Sequence, residues 1–84
     1  MNALVISETE KRGVWIISPT GRLDPQGGPV LEECCIERIE QGKTRILIDL
    51  ELVDFVSSAG LRGVLAVVKA IENAGGVLAL CSLS

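Results

Sequence analysis

The run RILIDLELVDFVSSAGLRGVLAVVKAI, Arg45 to Ile71, changes its hydrophobic period halfway along. Ile46, Leu47, Ile48 and Leu50 are apolar without alternation, the pattern of a central strand covered on both faces, and Asp49 is the single polar interruption. From Leu61 onward, Val64, Leu65, Val68 and Ile71 recur three and four residues apart, the stripe of an amphipathic helix that Gly75 and Gly76 close. Between them DFVSSAGL, Asp54 to Leu61, places two serines, an alanine and a glycine. A strand that feeds a helix through a small-residue turn is a βα unit, so the chain reads as α/β. Such turns are where ligands and partners usually meet an open α/β sheet.

Working outward, Leu4 to Ile6 open a β-rich segment, ETEKRG (Glu8 to Gly13) reads as a turn, and Val14 to Ser18 return as the second arm of a hairpin ended by Pro19, Thr20 and Gly21. Arg22-Leu23-Asp24-Pro25 leads through Gln26, Gly27 and Gly28 to Pro29, a residue suited to the first turn of a helix. That helix is predicted to run to about Gln41, with Leu31, Cys35 and Ile39 inward, Glu32, Glu33, Glu37, Arg38 and Glu40 in water, and Gly42 as the stop. Val77 to Cys81 make a last buried strand. The predicted order is ββαβαβ, a mixed β-sheet with parallel pairing across two helical crossovers, in one domain spanning residues 1–84.

Composition limits what such a domain can do. Apolar residues make up 48% of the chain and aromatics only 2%, so the core is expected to be aliphatic, with Trp15 and Phe55 as its only large rings. A net charge of −3 without a basic run disfavours nucleic acid. No apolar run approaches the ~20 residues that cross a bilayer, and MNALVISETEKR lacks the plan of a signal peptide, so a cytoplasmic protein without membrane insertion is expected. Cys34, Cys35 and Cys81 form no CxxC motif and read as reduced structural thiols. The chain has no histidine, which removes Ser-His and Cys-His nucleophile pairs and the commonest zinc ligand. Neither GxGxxG nor GxxxxGKS occurs, so no enzyme, metal or cofactor is expected.

The serine turn has two readings. Ser57 or Ser58 suits an N-cap, worth about 1 kcal/mol through a bond to a free helix N–H. The same place suits a phosphate, because the helix N-terminus stabilises an anion and Gly60 leaves the backbone uncrowded. A phosphoserine there adds about −1.5 to −2 charges to a neutral turn, enough to repel an acidic or apolar partner surface.

Placed between the ILIDL strand and a long aliphatic helix, and preceded by G-R-L-D at Gly21 to Asp24, this turn resembles the signature of STAS domains, which include the bacterial anti-sigma factor antagonists. Gly42 and the Gly75-Gly76 pair also sit where that family has them, and the resemblance spans essentially the whole chain. It implies a STAS-type mixed sheet and a partner-switching regulator that binds an anti-sigma factor serine kinase and leaves it on phosphorylation. The implied phosphoacceptor is the serine two residues before the turn glycine, Ser58, and the implied partner surface is Asp24, Ser57, Ser58, Ala59, Gly60, Leu61 and Arg62. Asp24 reads equally as an Asp-Pro turn former, Arg62 as a solvated helix charge, and Asp49 as a residue that bonds a loop N–H.

Two departures stand out. Ser57 occupies the place where well-known antagonists carry aspartate, and the chain stops at Ser84 where the family continues into a further C-terminal helix. Apolar surface left open by that missing helix predicts a homodimer or swapped assembly. The Ser57 departure keeps a second reading in view, a STAS adaptor or structural subunit of a transport or stress-signalling assembly that binds without phosphorylation.

Overall fold

The computed structural model describes residues 4–82. A hairpin of β1 (Val5–Lys11) and β2 (Val14–Leu23) leads into α1 (Gly27–Glu40) and β3 (Arg45–Asp49). The short β4 (Val53–Val56), α2 (Ser58–Asn73) and β5 (Val77–Cys81) follow. The main sheet runs β1-β2-β3-β5, with β1 antiparallel to β2 and the β2–β3 and β3–β5 pairs parallel, as the two helical crossovers predict.

Three elements depart from the sequence reading. The polar ETEK segment is strand, not turn: the hairpin closes on Arg12-Gly13 alone, both at positive φ (54° and 81°), the pairing that a two-residue turn between twisted strands requires. An edge strand tolerates polar side chains, so hydrophobic alternation gave no warning. β2 continues through Pro19 to Leu23, and where its pairing with β3 ends at Ile17 its far end turns to β4 at Gly21, with a bulge between Gly21 and Arg22. Pro19 falls in this gap between the two parallel partners, where a missing N–H breaks no parallel ladder. Finally, VDFV inside the turn segment is itself a strand, so the observed order is ββαββαβ.

The core lies on one face of the sheet. Ile17, Ile46 and Ile48 meet Leu31 and Cys35 of α1 and Val64, Val67 and Ile71 of α2, all buried in one cluster. The other face, where Ile16, Leu47 and Ala79 share one row across three strands, carries no helix among the described residues. β3 is therefore central but covered on one side, not both. The rings are peripheral as well. Phe55 is 41% exposed, and half-buried Trp15 spans the core margin, donating its indole N–H to Glu8 at 2.7 Å with Lys43 4.8 Å from its ring.

Arg38, read as a solvated charge, instead grips Glu8 of β1 through Nε at 2.6 Å and Nη2 at 3.2 Å, a forked bond that ties α1 to the edge strand. This bond foremost holds the Glu8 carboxyl below its ordinary pKa. Burial pushes the Cys34 thiol up to about 11 and the Cys35 thiol up to about 12, in keeping with unreactive packing roles.

Candidate functional site

β2 and β4 end side by side, and each hands the chain to a helix at the same end of the sheet. At the first junction the Asp24 carboxylate accepts the N–H groups of Gln26 (3.0 Å) and Gly27 (2.8 Å), supplying the cap that the Gln26 side chain does not. These bonds, that of Gly27 foremost, hold its pKa below the ordinary carboxylate value. Arg22 lies 3.7 Å from the same carboxylate and 4.1 Å above the Phe55 ring. The turn-forming role of Asp24 is thus realised.

At the second junction the two serines differ. Ser57 is the N-cap of α2: its hydroxyl oxygen accepts the Gly60 N–H at 3.0 Å, and its O–H reaches the Leu23 carbonyl at 3.5 Å. The Ser57 N–H also donates to Leu23 O at 2.9 Å, so the cap is fastened to the end of β2. Ser58, the first helical residue, is exposed, and its side chain makes no hydrogen bond among the described residues. One hydroxyl is committed and the next is free.

Glycines set how closely the two junctions meet. A Cβ on Gly60 would collide with the Leu23 carbonyl, one on Gly63 would come within 2.6 Å of the Gly28 carbonyl, and one on Gly28 would come within 3.1 Å of the Ala59 carbonyl. The helices therefore touch backbone to backbone where they start, which brings Asp24, Ser57, Ser58, Ala59 and Gly60 together. Leu61 (48% exposed) and Arg62 extend this surface along α2, and Arg62 forms no ion pair among the described residues. Asp49, at the end of β3, bonds the Glu51 N–H at 3.0 Å and so serves the loop.

Sequence reasoning placed Arg22 on the partner surface through the Gly21 to Asp24 loop but missed its stacking on Phe55, which depends on the β2–β4 pairing, and it missed the role of Gly28 and Gly63. The spacing of Gly60 and Gly63, three apart on one helix face, was a readable sign of close approach.

The STAS domain model matches residues 6–84. The chain belongs to the STAS domain family. BtrV of Bordetella bronchiseptica, provisionally named an anti-sigma factor antagonist, is 35% identical over 71 residues, which are 84% of this STAS chain and 61% of that protein. The chain thus spans about three fifths of the length of this curated relative. The anti-sigma factor antagonist SpoIIAA, solved in unphosphorylated form, is 25% identical with a TM-score of 0.77, covering 98% of this chain and 74% of its own. The phosphorylated form of SpoIIAA from Bacillus has a TM-score of 0.76 at the same identity and coverage. A Thermotoga maritima protein, also provisionally named an anti-sigma factor antagonist, shares the STAS fold with a TM-score of 0.86 at 21% identity, over 94% of this chain and 68% of that one. The solved STAS relatives bear out the mixed sheet, and among the described residues no helix follows β5.

Proposed function

We propose that this STAS domain is an anti-sigma factor antagonist that works by partner switching: it binds an anti-sigma serine kinase through the Ser57–Arg62 turn and Asp24, and phosphorylation of Ser58 releases it. The observation that carries this reading is the division of labour between the serines. Ser57 caps α2, and Ser58 stands exposed with an unengaged hydroxyl. A phosphate on Ser58 lies beside the free N–H groups and positive end of α2, which stabilise it, so the modification leaves the fold intact. It also places about −1.5 to −2 charges on a contact surface that includes exposed Leu61, where desolvating the anion against a partner is unfavourable. The likeness to SpoIIAA, solved both with and without phosphate, supports the same reading.

Ser57 preserves capping without the charge that an aspartate would bring, so the kinase meets a neutral residue before the acceptor. The domain acts as a regulator and not as an enzyme, in the cytoplasm where sigma factors act. The test is to incubate the protein with the anti-sigma kinase of its own organism and ATP, then map the modified residue by mass spectrometry. Transfer to wild type and Ser57→Ala but not to Ser58→Ala is the expected pattern. Undiminished transfer to Ser58→Ala overturns the assignment, and tight binding without transfer establishes the adaptor reading in its place.

A further inference from the structure

We propose that Arg62 changes partners when Ser58 is phosphorylated: it meets a carboxylate of the bound partner while Ser58 is free, and folds back onto the phosphate once Ser58 carries one. The inference rests on the proposed role of Ser58 and adds a second way in which the modification ends binding.

Ser58 opens α2 and Arg62 follows one helical turn later, at the i, i+4 spacing that puts two side chains on the same face with Cβ atoms roughly 5–6 Å apart. Both residues are exposed. Gly63 meets Gly28 of α1, and Val64, Val67 and Ile71 meet the core, so the Ser58 and Arg62 row is turned away from both. Side chains on a helix lean toward its N-terminus, which carries the Arg62 guanidinium over the Ser58 turn. An anion placed N-terminal to a cation at this spacing is also the favourable order.

No other group among the described residues holds Arg62. The positions three and four residues away are Ser58, Ala59, Leu65 and Ala66, none of them acidic, and the guanidinium forms no ion pair. Arg22, the other arginine of the two junctions, is already taken, 3.7 Å from Asp24 and 4.1 Å above the Phe55 ring. Asp24 and Asp54, the acids of the strand ends that lead into the helices, oppose a phosphate and leave it in need of a cation. The helix end is already drawn upon, because Ser57 takes the Gly60 N–H through Oγ and the Leu61 N–H through its carbonyl.

Transfer of the γ-phosphoryl group of ATP to Ser58 Oγ forms the O–P bond, breaks the bond to the ADP oxygen and releases the hydroxyl proton. The product carries about −1.5 to −2 charges and acceptor oxygens that a planar guanidinium matches with two parallel N–H donors. Before modification the same guanidinium stands beside exposed Leu61 on the contact surface, where burial without an anion is costly, so the partner must present a carboxylate there. Phosphorylation thus adds an anion to the surface and withdraws the cation that the partner was holding.

The pair is read by phosphorus NMR on the chain with phosphoserine installed at position 58 by peptide ligation, so that no kinase is needed. The phosphate titrates near pH 6, and its midpoint should lie about 0.3 pH units lower in wild type than in Arg62→Gln, as an exposed pair one helical turn apart gives. Arg62→Lys should restore most of the difference, and salt should shrink it. Without phosphate, Arg62→Gln should bind the anti-sigma kinase about tenfold more weakly while keeping the wild-type circular dichroism spectrum. Equal phosphorus midpoints in wild type and Arg62→Gln overturn the proposal, and so does undiminished kinase binding by Arg62→Gln. Neither result touches the proposed function, which fails instead if Ser58 is not phosphorylated when kinase and ATP are supplied.

Discussion

The two strand-to-helix junctions solve one problem with different chemistry. At the start of α1 the capping group is a carboxylate, Asp24, which places a negative charge against the helix N-terminus. At the start of α2 it is the neutral hydroxyl of Ser57, which satisfies one N–H and adds no charge. The first helix end is electrostatically complete, whereas the second is capped but still able to stabilise an anion. A phosphate is therefore accommodated at α2 and would meet an existing negative charge at α1. The difference lies in the capping group, a carboxylate two residues ahead of the Gln26 cap position at α1 and the hydroxyl of the cap residue Ser57 itself at α2.

The comparison can be broken most severely at the glycines that press the junctions together. Gly60→Ala places a methyl group against the Leu23 carbonyl, backbone that cannot step aside, and should cost about 3 kcal/mol or more in urea unfolding. Gly42→Ala, with open space around it but φ at +88°, should cost only about 1–2 kcal/mol. Next in size is Ser57→Ala, which removes the α2 cap and should lower stability by about 1 kcal/mol at all pH values, since no titrating group is involved.

Asp24→Asn sharpens the contrast through pH. The folded state holds the Asp24 pKa below its free value of 3.8, so its contribution is complete above that value and is lost as the pH falls through the folded pKa. The variant should be less stable than wild type at neutral pH, and the gap should narrow as the pH falls below 3.8 and through the lowered folded pKa, as read from urea midpoints. Ser57→Ala should show no such convergence. The smallest stability change is expected for Ser58→Asp: a gain within ~0.3–1 kcal/mol from the carboxylate at the α2 N-terminus, together with loss of binding to the kinase in a pull-down. A destabilised Ser58→Asp would show that the second junction does not welcome negative charge.

The second junction was more legible in the sequence than the elements around it. The ILIDL strand, the 61–71 stripe and the Gly75-Gly76 stop are local patterns, and they locate the turn and both its serines. The choice of Ser57 as cap follows from where α2 begins, at Ser58, three residues before the expected turn ends at Leu61, so only the structure separates the serines. β4 was hidden because four residues, VDFV, become a strand only through pairing with the extended end of β2. Coverage of β3 was misread because aliphatic side chains on an open sheet face look the same in sequence as side chains between two layers. Arg38 was misread for a related reason. Its partner Glu8 is 30 residues away on an edge strand that itself resembled a turn.

The change of partners along β2 bears on the order of assembly. β2 touches β1, β3 and β4, and only the β1 contact is local in sequence, closed by a two-residue turn. The hairpin can form within microseconds, whereas the β3 and β4 ladders must wait for long loops to close. Substitutions in β2 at Ile17 are therefore expected to slow folding, and substitutions in β4 at Val53 to speed unfolding, which stopped-flow chevrons would separate. On this ordering the strand that leads into the serine turn is among the last to settle onto a scaffold already built.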